Sequence, residues 1–172
     1  MLIAMAGLPG TGKSTLAARL AAALGGVVLC KDVVRAALFP APVLDYSAAQ
    51  DHIAMTAVYQ AAEYILALTA RSVFIDGRTF SKPGQIEEAA ALAVELYAPL
   101  RVIECVCSDE VARARIAADR VAGTHLAGNR TPDLYDRSKT AAVPLTVPRL
   151  TLDTGVLSLD ECVSRAMAYL SE

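Results

Sequence analysis

The sequence predicts an α/β fold in which a five-stranded parallel sheet is flanked by helices. Three observations carry that expectation. Short apolar runs of strand length alternate with alanine-rich stretches of helical length from end to end. The first of these runs, Leu2–Ala6, leads straight into a glycine-rich turn and then a helix. Alanine supplies 33 of the 172 residues and tryptophan none, a composition suited to closely packed helices rather than to a β-sandwich.

The elements follow in order. After Leu2–Ala6 comes a helix from about Lys13 to Leu24, ended by Gly25-Gly26 as glycine ends helices at their C-terminal caps. Val27–Cys30 is a short second strand. Ser47, with Gln50 three residues on, reads as a capping box opening a helix to about Ala70. Ser72–Asp76 is the third strand, closed by Asp76-Gly77. A helix from about Lys82 to Tyr97 has Pro83 in its first turn and Pro99 beyond its end. Arg101–Cys107 is the fourth strand, and Ser108 caps a helix to about Val121. Arg149–Asp153 is the fifth strand, and Ser158 with Glu161 boxes the start of the terminal helix, which runs to about Leu170. The segment Gly123–Pro148, rich in glycine and proline, reads as a mobile insert, and a loop that long in a compact domain is usually functional. Strands joined by such helices pair in parallel through right-handed crossovers, and ligands collect at the strands' carboxyl ends.

Length fits one domain over residues 1–172 with a full core. A formal charge of −2 and a pI near 5.7 argue against a surface built for duplex nucleic acid or anionic lipid, and leave a local basic pocket open. Hydrophobic residues at 55% and charged residues at 20% exclude disorder. No stretch has the 18 or more apolar residues of a membrane span, and Met1–Ala6 lacks the basic leader of a secretory signal, so a cytoplasmic protein without a membrane partner is expected. Cys30, Cys105, Cys107 and Cys162 show no metal-ligand spacing and read as reduced, mostly buried thiols.

Gly7-Leu8-Pro9-Gly10-Thr11-Gly12-Lys13-Ser14 matches G-x-x-x-x-G-K-[ST] at every fixed position, between an apolar strand and a helix. The glycines let successive backbone N–H groups face phosphate oxygens, Lys13 adds a point charge at the β/γ-phosphates, and the Ser14 hydroxyl suits Mg²⁺. The positive end of the following helix dipole points at the same phosphates. Gly7, Gly10, Thr11, Gly12, Lys13, Ser14 and Thr15 are therefore the candidate nucleotide-binding residues. Asp76, at the end of an apolar strand, is placed where a Walker-B-type carboxylate holds Mg²⁺ directly or through water. No Asn-Lys-x-Asp stretch reads guanine, and the chain lacks the length of an AAA-type motor with a second helical domain.

In this order (P-loop, Lys31-Asp32-Val33-Val34-Arg35, a strand ending Asp76-Gly77, an arginine-bearing helix, an insert, a strand ending Asp153-Thr154) the chain resembles the zeta-toxin and polynucleotide-kinase-like group of P-loop phosphotransferases. Chloramphenicol phosphotransferase, shikimate kinase and gluconate kinase are relatives of that group in fold. The resemblance implies the three-layer P-loop fold with strand order 2-3-1-4-5, a lid over about 122–148, ATP as phosphoryl donor and Mg²⁺ as cofactor. In that group the carboxylate about twenty residues past the P-loop lysine accepts the proton of the attacking hydroxyl; Asp32, nineteen past Lys13, matches it. Arg35, three residues on, suits an anionic or polyol substrate, and Arg78 a place in the substrate cleft. One arginine of the helix after strand four stacks on adenine in the group and another reaches the transferring phosphates. Arg115 and Arg120 take these roles here, although they stand five apart where the group's pair is usually four. Arg130, with Arg137, is the alternative phosphate-stabilising arginine. Asp153 and Thr154 join the nucleotide-binding set.

The function implied is ATP-dependent transfer of a phosphoryl group to a hydroxyl of a small molecule (a metabolite, sugar, antibiotic or nucleoside) by a monomer or homodimer. One alternative is a 5′-hydroxyl polynucleotide kinase, which would need a cationic groove. Another is a nucleotide-binding regulatory ATPase with no acceptor. The helix from Ser47 carries no arginine before Arg71, so a carboxylate clamp of the shikimate-kinase kind is missing from it. His52 on that helix either lines the acceptor pocket or sits at the core edge.

Overall fold

The computed structural model of the chain describes residues 1–123 and 131–172. Its strands are β1 (Leu2–Ala6), β2 (Val27–Cys30), β3 (Val73–Asp76), β4 (Leu100–Val106) and β5 (Leu150–Asp153). The helices are α1 (Lys13–Leu24), α2 (Lys31–Leu38), α3 (Ala48–Leu68), α4 (Gln85–Glu95), α5 (Asp109–Ala122), α6 (Pro132–Thr140) and α7 (Leu159–Leu170). The strands pair in parallel in the order β2-β3-β1-β4-β5, the order expected for a P-loop fold.

The sequence makes β1 the central strand for a physical reason. All five of its residues are apolar and buried, as a strand covered on both faces requires. The pleat sends Leu2, Ala4 and Ala6 to one side, where Met55, Val58 and Ala62 of α3 and Ile86, Ala89 and Ala93 of α4 cover them. Ile3 and Met5 go to the other, against Leu16, Ala17 and Leu20 of α1 and Cys162, Ala166 and Leu170 of α7. Alanine on the sheet-facing side of each helix lets backbone approach backbone. Parallel pairing then brings the residues after each strand, Gly7, Lys31, Gly77, Cys107 and Thr154, to one edge of the sheet.

Several local expectations are refined. A helix begins at Lys31 directly after β2, which puts Asp32 and Arg35 in its first turns. Gly84, with φ 82°, precedes α4, so Pro83 stands before that helix rather than inside its first turn. Ser158 and Glu161 form the complete capping box, a cap of the kind that contributes about 0.5–2 kcal/mol. Ser47 makes only half of one: it accepts the Gln50 N–H, but the Gln50 side chain instead accepts from Asp45 and Tyr46 N–H and donates to the Val43 carbonyl. Gln50 thereby pins the loop before α3.

The expectation of a loop-like mobile insert over 123–148 is corrected at its centre. Residues 132–140 are helix α6, capped by Thr131 and started by Pro132. Tyr135 is buried against Ala112 and Ile116 of α5, and its hydroxyl donates to Asp109. Lys139 pairs with the same carboxylate and Arg113 with Asp136, so α6 is held on α5 from both sides. Residues 124–130, with His125 and Arg130, lie outside the described part. Among the described residues no helix is long and apolar enough to cross a membrane.

Candidate active site

The site grows from the turn after β1. Gly7 has φ 126°, and a Cβ there would fall 2.2 Å from the Cys105 carbonyl oxygen, so only glycine lets the loop press on the end of β4. A Cβ on Gly10 would come 2.6 Å from the Ala112 carbonyl oxygen of α5. Inside the loop, the Thr11 hydroxyl and the Lys13 ammonium both donate to the Leu8 carbonyl at 2.8 Å. Gly12, with φ 82°, ends the loop at the N-terminus of α1, and Ser14 and Thr15 are exposed in its first turn.

Arg115 and Thr154 bolt this loop to the end of β5. Arg115 donates to the carbonyls of Gly10 and Thr154 and to the Thr154 hydroxyl, while that hydroxyl reaches the Thr11 carbonyl at 2.9 Å. The Asp153 carboxylate accepts the Gly155 N–H, tightening the turn that presents Thr154. The guanidinium of Arg115, expected against a base, is thus bonded to the loop backbone while its side chain still lines the cleft beside it.

Two of the cavities at this edge meet at the start of α1. One, of about 750 Å³, is bounded by Gly12, Lys13, Ser14, Thr15, Asp76 and Arg115. The other, of about 370 Å³, lies between α2, α3 and α6, with Leu134 and Ser138 of α6 in its wall. Lys13, Ser14 and Asp32 line both. Asp32 is half-buried, 3.8 Å from Arg35 Nη1 and 4.0 Å from Lys31 Nζ.

The second cavity is organised by Asp51, near the start of α3. Its Oδ1 accepts from Lys31 Nζ at 2.6 Å and Arg35 Nη2 at 2.5 Å, and its Oδ2 is 3.8 Å from Arg78 Nη2. Arg78 also donates to Glu88 of α4 and to the Tyr59 hydroxyl. The Arg35 guanidinium lies 5.6 Å over the Tyr46 ring. Burial opposes the charge on Asp51, yet Lys31, Arg35 and Arg78 outweigh it and hold its carboxyl below the ordinary range. For Arg78, burial works against the cation while Glu88, Tyr59 and Asp51 hold it above its usual value.

Asp51 carries a pH prediction. A carboxyl lowered in the folded state stabilises the fold above its unfolded pKa of about 3.9, and that stability is lost as pH falls through the lowered folded value. Wild type should therefore exceed Asp51→Asn in Tm at neutral pH, with the gap closing below about pH 4. Thermal melts of both proteins between neutral and acid pH test this; a gap independent of pH would mean that the charge on Asp51 does not matter.

Asp76 suits a divalent cation. It is 1% exposed and its Oδ1 has no hydrogen-bond partner among the described residues, an arrangement that costs free energy unless something positive faces it. No group of three or more His, Cys, Asp or Glu side chains among the described residues could enclose a metal. A cation bound together with phosphates and water needs only one or two protein oxygens, and Asp76 and the Ser14 hydroxyl, both lining the P-loop cavity, are the residues that could supply them.

The remaining candidates are less central. Arg120 is exposed in the last turn of α5, Arg137 is exposed on α6, and His52 is exposed on α3. Burial raises the pKa of all four thiols, that of Cys105 to about 12, which fits inert cysteines. Sequence reasoning missed Asp51, Lys31 and Glu88. Acids in the first turn of a helix complement its dipole whatever else they touch, so Asp51 and Glu88 carry no sequence signal of a site.

A family profile described as an AAA domain matches residues 2–127, and the chain belongs to that family. The described helices all pack on the one sheet or on one another. A Chloroflexus aurantiacus protein described as a "putative kinase" shares the fold at a TM-score of 0.76 and 25% identity, over 97% of this chain and 96% of its own. The APS kinase of Mycobacterium tuberculosis, in complex with AMPPNP and APS, gives 0.71 and 18% over 99% and 97%. A gluconokinase from Sinorhizobium meliloti gives 0.70 and 16% over 99% and 90%. No curated protein matches the chain.

Proposed function

We propose that the protein is an ATP-dependent phosphotransferase acting on a hydroxyl of a small molecule, in the manner of the zeta-toxin and polynucleotide-kinase-like group. The supporting observation is the pair of cavities that meet at Lys13, Ser14 and Asp32. The P-loop side takes the nucleotide. The acceptor enters from the side of α2, α3 and α6 and meets the γ-phosphate where the two cavities join. Its oxygen forms a bond to phosphorus, the bond to the β,γ-bridging oxygen breaks with its electron pair leaving on ADP, and Asp32 receives the hydroxyl proton. Lys13 balances charge on the phosphates, and Arg115 with Thr154 keeps the loop in place. Mg²⁺ held by Ser14 and Asp76 would neutralise phosphate charge. The second cavity is of the size that encloses a metabolite.

The test is an assay of ADP release by the purified protein over hydroxylated metabolites, nucleosides, antibiotics and a 5′-hydroxyl oligonucleotide. Acceptor-dependent release with a small molecule is the expected result. Release with the oligonucleotide alone would select the polynucleotide-kinase alternative, and release that no acceptor stimulates would select the regulatory ATPase.

A further inference from the structure

The charged lining of the smaller cavity is out of balance with the rest of the chain. Beyond Lys13 and Asp32, which serve the transfer itself, the described residues give it Lys31, Arg35, Arg78 and Lys82 against the single carboxylate of Asp51. This surplus of three positive charges sits in a chain whose formal charge is −2. Arg35 and Arg78 are not surface residues: they are 6% and 7% exposed, and the Nε of each is buried with no hydrogen-bond partner among the described residues. Two guanidiniums and an ammonium offer roughly thirteen N–H donors, and Asp51 alone takes two of these cations on one oxygen. Glu88, outside the lining, and Tyr59 take Arg78 donors, and Asp32 is 3.8 Å from Arg35. Donors still exceed acceptors among these contacts, and the two guanidiniums that carry most of them are buried.

A neutral polyol brings about as many donors as acceptors and no charge, so it leaves that excess unmet. A carboxylate, phosphate or sulfate brings acceptors only, in the planar or tetrahedral arrangement that guanidinium forks match. We propose that the acceptor is a small molecule bearing such an anionic group, which docks on Arg35, Arg78 and Lys31 in place of part of their contact with Asp51, while its hydroxyl lies at Asp32. A polynucleotide offers anions too, but a strand needs a cationic track along the surface, whereas the positive charge here is concentrated in about 370 Å³. Asp51 is then the resident counter-charge that keeps three cations folded together and yields them to a stronger acceptor. The word acceptor rests on the phosphotransferase reading; the anion site does not.

The two are tested separately. With the P-loop saturated by Mg·AMPPNP, inorganic sulfate is titrated by calorimetry. Wild type should bind it, Arg78→Gln and Arg35→Gln should bind about ten- to a hundredfold more weakly, and the exposed Lys82→Ala provides a variant that spares the fold. Arg78→Lys should recover part of the loss. Asp51→Asn should lower Tm without sulfate yet bind sulfate about tenfold more tightly, which a merely structural role for Asp51 would not produce. In the assay, matched pairs such as glycerate against glycerol and gluconate against sorbitol should favour the acid by about a hundredfold in kcat/KM, with Arg78→Gln narrowing the gap. Sulfate binding absent, or unchanged in the Arg35 and Arg78 variants, overturns the site. Neutral alcohols or a 5′-hydroxyl oligonucleotide used as well as the acids overturn the acceptor class. Sulfate binding with no transfer to anything leaves the anion site standing and removes the phosphotransferase.

Discussion

Replacing Lys13 by alanine is expected to abolish phosphoryl transfer while the protein keeps its fold. Lys13 is 8% exposed, and its ammonium donates to the carbonyl of Leu8 in its own loop, so it contributes charge to the phosphate site and little to the hydrophobic core. Without ligand, the Tm of Lys13→Ala should stay within a few degrees of wild type. A ligand that binds only the folded state adds about 2.7 kcal/mol at a hundred times its Kd, which for a domain of this size raises Tm by roughly 5–10 °C. Wild type should show that rise with Mg·ATP and Lys13→Ala should not. Equal responses would mean that the phosphate site is elsewhere.

Asp32→Asn and Asp76→Asn should fail in different ways, because Asp32 lines both cavities whereas Asp76 lines only the one beside the P-loop. Asp32 lines both cavities and is held near Arg35 and Lys31, and on the proposed reading it faces the acceptor rather than the nucleotide alone. Asp32→Asn should keep Mg·ATP affinity within a few-fold and lose roughly 10²–10⁴ in transfer, the range of a general base. Asp76 ends β3, buried in the nucleotide-side wall with a bare Oδ1. Asp76→Asn should weaken nucleotide affinity and Mg²⁺ dependence together. Both changes nearly preserve volume, so nucleotide titrations and single-turnover assays on folded proteins separate them. Full transfer by Asp32→Asn would remove the hydroxyl-kinase reading and leave the P-loop alone to argue for function.

The P-loop and the strands were legible because each is a local pattern. Gly7, Gly10, Gly12 and Lys13 stand at fixed separations within one turn, and β1 is an unbroken apolar run whose burial on both faces follows from its composition. Ser108 and Ser158 announce their helices by capping chemistry that acts within four residues. Helix α6 was not legible in the same way: glycines and prolines surround it, and its stability depends on Tyr135, Lys139 and Asp136 meeting α5. Arg115 could be placed on a helix from sequence, but not its bonds to Gly10 and Thr154, which come from 105 and 39 residues away.

What the sequence determined by itself is thus the sheet, the phosphate loop, Asp76 at the end of β3 and Asp32 just after β2, since these depend on periodicity and short-range spacing. Only the tertiary structure decided the charged second cavity. Lys31, Arg35, Asp51 and Arg78 belong to three separate segments, and each alone reads as an ordinary charge on a helix or turn. Parallel pairing of β2 with β3 and the packing of α2 on α3 bring them to one point. There burial lowers the local dielectric and turns scattered charges into a single electrostatic site.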